Sequence, residues 1–571
     1  MRRALLATLL AAACAQAGAP PPCARADDDA DRPLLGITFD RYYDAAGLKA
    51  ALEKIHATFP GMTRLESMGT SREGRALWVL SVFDPAGRPV EERPAMYVDG
   101  NTHGNEIQGT EVTLFVAKYL LVHRAEPWVA ALLRRVVFHL APCVNPDSRE
   151  RFIHEPNDEH SPRRVPRPFD DDRDGLVDED GYDDLDGDGE ILSMRIADED
   201  GDQVTDERDD RLMRPRKPGE KGQWRMLGAE GVDDDGDGQV NEDPIGGVDP
   251  NRNFPYEWRP EPDQGGAGPY PLSEPETRTT ALWVLAHPRI AGVQSFHNAG
   301  QMILRPPAAR TDAESEFSGA DRALYDEIAR RGGLVLPGYR YLQIREGLYL
   351  VHGGFVDWTF GALGAFSFTN ELWGVEGMWS TSPGGDTALT ALKWNDVALH
   401  GAGFVRWHKV KHPTFGEIEV GGWRRKTIRT TPTDFLADLC LRNALFTIEH
   451  ASCLPDLAIR SAQVVAPGRV RVTVENRALL PTISGWAKKH DVVPPDEFAL
   501  EGAEVLAATT STPGAAAPEV VAVKRGRARL EAGVPGTGAR TVDLWFDPTK
   551  PASEVVVSSR LGGVLRAPLS R

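Results

Sequence analysis

The chain has 571 residues, 84 acidic against 65 basic, and a formal net charge of -19. Between Asp170 and Asp243 lie 28 acidic and 9 basic residues, so this stretch alone carries -19 and the remainder holds 56 of each sign. No basic surplus is left to neutralise phosphates, which excludes a nucleic-acid partner, and 41% hydrophobic with 26% charged residues excludes a disordered chain.

Arg2 and Arg3, the apolar run 4–13 and a small-x-small site at Ala15-Gln16-Ala17 or Ala24-Arg25-Ala26 predict a signal peptide over 1–26, hence a secreted or periplasmic protein. The run is shorter than the ~20 residues that span a bilayer, and no later stretch is long and apolar enough to do so. Lipid anchoring at Cys14 is disfavoured, because Ala11 stands where a branched aliphatic residue belongs. Loss of Cys14 and Cys23 leaves Cys143, Cys440 and Cys453, an odd number that excludes a disulfide-built scaffold. A Cys440–Cys453 bridge and separate buried thiols both stay open.

Leu48, Leu52 and Ile55 recur at helical spacing before Pro60. Residues 76–83 and 96–98 read as strands, the second running into Gly100-Asn101-Thr102-His103-Gly104-Asn105-Glu106. A helix carrying Leu114, Phe115, Tyr119 and Leu120 precedes a strand at 136–140. Beyond the acidic stretch, Ser273 with Glu276 predicts a capped helix, followed by strands at 290–296 and 365–369. Strands alternating with helices imply an α/β sheet covered on both faces. From about Asp456, short runs at 469–474, 519–523 and 554–558 between Gly-, Pro- and Ala-rich turns predict an all-β, sandwich-like domain over 455–571.

His103 and Glu106 sit three apart in a turn after one strand, and His297 ends another. Two histidines and a carboxylate with a fourth position left for water form the donor set of a single catalytic Zn2+. Alone, the His-x-x-Glu pair is a weak signal, more often a polar loop pair hydrogen-bonded to the backbone. Around it, however, His103-Gly104-Asn105-Glu106, Asn145-Pro146-Asp147, Gly247-Val248-Asp249-Pro250-Asn251-Arg252-Asn253-Phe254-Pro255, Ser273-Glu274-Pro275-Glu276-Thr277, His297, Asp357-Trp358 and Phe368-Thr369-Asn370-Glu371-Leu372 follow in order. This series resembles the zinc metallocarboxypeptidase family, the carboxypeptidase A and B type, over roughly residues 37–422.

The resemblance implies a mixed twisted sheet flanked by helices over 34–425, with the acidic segment 165–245 as an insertion. It implies His103, Glu106 and His297 as zinc ligands and Glu371 as the base that passes a proton from water to the leaving amine. Asn251 and Arg252 would grip the terminal carboxylate of a peptide or protein substrate, and Tyr349 would close over it. An oxyanion-stabilising arginine is implied too, with Arg163, Arg164 and Arg195 as candidates. Ser148 and His352 depart from the family pattern, the first adjusting a turn, the second packing or touching substrate. Apolar Phe355 and Val356 lean toward a hydrophobic terminal residue. The pattern begins soon after the leader, so an enzyme active on export is expected. Two rivals are a zinc amidohydrolase of the same architecture acting on a non-peptide amide or cell-wall fragment, and a non-catalytic calcium-dependent binding protein.

Within the insertion, Asp170, Asp172 and Asp174 precede Gly175; Asp184, Asp186 and Asp188 precede Gly189; Asp233, Asp235 and Asp237 precede Gly238. Alternate carboxylates wrapping to a glycine turn resemble the first half of a calcium loop, and structural Ca2+ is expected there.

Overall fold

The computed structural model describes residues 34, 36–168, 170, 175–243, 245–374, 387–511 and 518–570. The leader expected over 1–26, and Asp172 and Asp174, lie outside them. Eight strands build the main sheet: β1 (Thr63–Thr70), β2 (Ala76–Val82), β3 (Ala95–Gly100), β4 (Val137–Ala141), β5 (Ile290–Asn298), β6 (Met302–Arg305), β7 (Arg340–Gln343) and β8 (Phe366–Leu372). Their spatial order is β1-β2-β4-β3-β5-β8-β6-β7. The four central strands β4, β3, β5 and β8 run parallel, whereas β1, β2 and β6 make antiparallel pairs, so the sheet is mixed. β3 and β5 are buried along their whole length, as parallel strands covered on both faces must be.

Helices α1 (Ala45–Thr58), α2 (Gln108–Val122), α3 (Pro146–His154), α4 (Pro275–Ala286), α5 (Gly319–Val335), α6 (Phe355–Gly361) and α7 (Thr433–Ser452) surround this sheet. One core joins Leu52 of α1, Leu120 of α2, Tyr325 of α5 and Phe446 of α7. A second collects Tyr97, Phe254, Trp283 of α4 and Phe355 of α6. The cap of α4 differs from expectation. Glu274 is the residue before the helix, Pro275 supplies the preset first turn, and Ser273 Oγ donates to Glu274 at 2.8 Å while Glu276 accepts from the Arg72 amide.

The acidic segment is more than loop. Its strands at Ser193–Ala197, Gln203–Thr205, Met213–Pro215 and Trp224–Ala229 form a six-stranded antiparallel sheet with a distant hairpin, Phe404–His412 and Gly416–Trp423. The segment leaves the catalytic body through a two-residue antiparallel stem, Val165 opposite Val248 and Pro166 opposite Gly247.

Nine antiparallel strands make up the C-terminal unit. The first, Leu457–Ala466, nearly meets the end of the last, because Val464 N donates to Ser570 O at 2.9 Å and Ser570 N to Ala462 O at 2.8 Å. The all-β expectation thus resolves into a nearly closed barrel, not two open faces. Trp486 docks it on the α/β body, donating to Gly361 O at 3.1 Å, while Asp321 accepts from Gly485 N and Trp486 N. The Cys440–Cys453 bridge does not form. Both thiols lie on or at the end of α7, about 20 Å apart at 1.5 Å per residue, far beyond disulfide reach, and both are free and buried, as is Cys143. Among the described residues no helix is long and apolar enough to cross a membrane.

Candidate active site

The parallel strands end at one edge, and there the chemistry gathers, as expected for an α/β sheet. His103 and Glu106 occupy the turn between β3 and α2, fixed from several sides. Asn101, in the left-handed region at φ 56°, donates through Nδ2 to His103 O at 2.6 Å. Buried Arg149 from α3 donates to Asn101 Oδ1 at 2.9 Å and Ile107 O at 2.7 Å, and pairs with Glu111 at 2.7 Å. Gly104 is required by space, since a Cβ there would lie 2.1 Å from Ser148 Cβ. Ser148 lies in the first turn of α3, its hydroxyl donating to Arg164 O.

His297, near the end of β5, faces this turn. His103 Nδ1 lies 2.9 Å from Glu106 Oε1, His297 Nδ1 lies 3.0 Å from Glu106 Oε2, and the two ring nitrogens are 3.1 Å apart. All three residues are buried and their ligand atoms fall within 4.8 Å of one another. The outer nitrogens are held as well: His103 Nε2 meets Asp249 Oδ1 at 3.0 Å and His297 Nε2 meets Ser295 Oγ at 3.2 Å. A carboxylate on the far nitrogen fixes the ring and leaves Nδ1 turned inward, the usual support of a metal-bound imidazole. Two imidazoles and a carboxylate so placed fit zinc. Burial opposes ionisation of Asp249, yet His103, Arg163 and Arg252 hold its carboxyl well below the ordinary range.

Of the three candidate arginines, Arg163 brings its side chain here, donating to Glu106 Oε1 at 3.0 Å and Asp249 Oδ2 at 3.2 Å. Arg195 is elsewhere, paired with Glu419 at 2.6 Å and stacked on Trp224 and Trp407. Glu371 on β8 is in parallel register with His297. Burial and the Glu106 carboxylate raise it to about 7, with His297 and Arg163 opposing. Glu371 shares a cavity with Asn251, Arg252, Tyr349, Val356 and Thr369. Asn251 Oδ1 accepts from Phe355 N at 2.9 Å, and the Arg252 guanidinium sits 5.9 Å from the Tyr349 ring centre. Tyr349 is exposed, whereas Phe355 packs into the core against Tyr97 and Phe254. His352 Nδ1 lies 2.9 Å from Glu257 O.

Asp249 was not singled out by sequence reasoning. It precedes a proline and caps the turn Pro250–Arg252 through Asn251 N, so it reads as an ordinary cap; the same Oδ1 also takes His103.

Among the described residues, the acidic loops form no part of this site. Asp184 accepts three amides of its own loop, Asp186 meets His408 Nε2 at 2.8 Å and Asp188 meets Arg424 at 3.3 Å. Asp233 and Asp237 likewise accept loop amides, and Asp170 accepts from Gly175 N.

The profile of the zinc carboxypeptidase family matches residues 48–173 and 190–382. Carboxypeptidase D of Mus musculus is 37% identical over 129 residues, 20% of this chain and 9% of that protein. Carboxypeptidase A6 of Homo sapiens is 23% identical over 349 residues, 60% of this chain and 62% of that protein. The chain thus spans less than two thirds of the curated relatives named here. Carboxypeptidase A from Helicoverpa armigera aligns in structure with a TM-score of 0.39 and 19% identity, covering 65% of this chain and 71% of that one. With the profile running from α1 past β8 over more than half its length, the chain belongs to the zinc carboxypeptidase family.

Proposed function

We propose that the protein is an exported zinc-dependent carboxypeptidase that hydrolyses the last bond of peptides bearing a free C-terminal carboxylate. The observation that carries this reading is one cavity lined by Glu371, Asn251, Arg252 and Tyr349, with Glu371 in register with His297 of the metal set.

His103, Glu106 and His297 would hold the zinc. When bound, zinc supplies Lewis acidity toward the scissile carbonyl and makes a water acidic near pH ~7. The chain's own groups do the rest. Arg252 presents a planar fork suited to a bidentate carboxylate and stays charged, so it anchors the substrate terminus together with Asn251. Tyr349, exposed beside that guanidinium, covers the anchored end. Glu371 accepts a proton from the attacking water and returns it to the departing amine; a carboxyl raised to about 7 is poised for both. Arg163 stabilises the charge that develops on the carbonyl oxygen. Val356 and Leu304 in the cavity lining favour an apolar terminal side chain.

A peptide with a free C-terminus should be cleaved and its amidated twin should not. Equal cleavage of both would overturn carboxylate anchoring and leave the amidohydrolase reading. Export belongs to the same proposal, and N-terminal sequencing of the mature protein tests it.

A further inference from the structure

Residues 170–180 and 233–243 are two copies of one motif, Asp178-Glu179-Asp180 in the first answering Asn241-Glu242-Asp243 in the second. The structure sets the closing parts of the copies against each other about a local pseudo-twofold axis. Asp180 and Asp243 form an antiparallel bridge, Asn241 N donates to Asp180 Oδ2 at 3.1 Å, and Asp178 N donates to Asp243 Oδ2 at 3.1 Å. Each copy thus hands its last aspartate to the other.

One of those handovers leaves an unmet requirement. Asp180 has no solvent exposure, and its Oδ1 has no hydrogen-bond partner among the described residues. That side chain faces Asp235 and Glu242 of the other copy, and ligand oxygens of the three lie within 4.8 Å of one another. Glu242 Oε2 and Asn241 Oδ1 are also buried without a partner. Carboxylates this close repel unless a proton or a cation stands between them, and a buried charge left unpaired is costly. No ion pair with a Lys, Arg or His side chain reaches Asp180, Asp235 or Glu242 among the described residues, in contrast to Asp186 and Asp188 of the middle loop.

We propose that Asp180, Asp235 and Glu242 bind one hard divalent cation, calcium, shared between the two copies. An all-oxygen, carboxylate-rich donor set suits calcium, which tolerates irregular geometry and takes further ligands from carbonyls and water. The site differs from the single-loop arrangement expected from sequence, because one ligand comes from the opposite copy. Its position gives it a role. A few residues outward the copies run into the Val165–Pro166 and Gly247–Val248 stem, to which Gly246 N ties back by donating to Asp178 Oδ1 at 2.8 Å. Immediately beyond the stem stand Arg163 and Asp249. The cation is a clip that holds together the two arms carrying these residues.

The test uses the full-length, zinc-loaded protein freed of calcium by chelating resin and titrated with calcium chloride by calorimetry, with thermal melting in parallel. Saturation at or below about 1 mM is expected, the range of extracellular calcium modules, with a raised melting temperature. Asp180→Asn and Glu242→Gln should each weaken this binding at least tenfold, whereas Asp188→Asn should not. The proposal is overturned if calcium produces neither heat nor a melting shift, as when the carboxylates merely share a proton, or if both variants bind like the parent. Should Asp180→Asn fail to fold, Glu242→Gln decides alone. The readout is binding, so its failure leaves the proposed peptidase activity standing.

Discussion

Asp249 does three things with one carboxylate: it caps a turn, orients His103 and pairs with Arg163. Removing its charge while keeping its shape should separate these roles. Asp249→Asn is expected to weaken zinc affinity by ~10–100-fold, the usual cost of losing a carboxylate behind a ligating histidine, measured by competition with a chromogenic chelator. Glu371→Gln should behave oppositely: bound zinc stays stoichiometric while kcat falls by ~100-fold or more, as for loss of a general base. A Glu371→Gln enzyme of normal rate would remove Glu371 from the mechanism. The proposed ligand, base and anchor residues could be singled out because each stands in a distinctive local run. Asp249 was not singled out, since it looks like a cap, and Arg163 was one of three candidate arginines until the fold brought it within 3.0 Å of Glu106.

At the level of elements, strands β2, β3, β4, β5 and β8 were read from sequence, whereas β1, β6 and β7 and the long helices α5 and α7 were not. Short apolar runs beside Gly-rich turns announced β2, β3, β5 and β8, each shifted by only a few residues from expectation. Helix α7 escaped because its buried residues, among them Leu436, Leu439, Cys440, Asn443 and Thr447, mix apolar with polar types. It nonetheless closes a core, with Phe446 packed so tightly on α5 that a Cβ at Gly332 would lie 2.5 Å from its ring. Phe446→Ala should cost ~3–5 kcal/mol in urea unfolding, in line with large cavities elsewhere. In the barrel, burial raises Asp496 from 3.8 to about 6 against the opposing Thr482 hydroxyl. The native state holds this proton where the unfolded chain has lost it. Its stabilisation is therefore complete below about 3.8 and is lost as pH rises through about 6. Asp496→Asn should flatten that fall between pH 4 and 7; parallel stability curves for parent and variant would contradict it.

For the molecule as a whole, the charge partition read from sequence proved to be an architectural partition, because the acidic stretch contributes to its own antiparallel sheet. What sequence could not supply was its partner, the hairpin at Phe404–His412 and Gly416–Trp423, which lies far along the chain. Nor could it show that the C-terminal strands close on themselves, since alternating burial is common to sandwiches and barrels. Zinc removal should lower the melting temperature, because the folded state binds the ion through three preplaced donors, and added zinc should restore it. An apoprotein melting like the zinc form would show that the three donors do not bind it.

The two-residue stem has a further meaning for how such a chain can change over time. Val165 faces Val248, so everything between Pro166 and Gly247 begins and ends at one point. To the catalytic body this long excursion is topologically a hairpin. Its content can lengthen or shrink beyond the Asp180–Asp243 pairing, as long as that pairing and the stem keep the arms on which Arg163 and Asp249 meet at 3.2 Å. The excursion becomes a socket through which the same reaction centre acquires new surroundings.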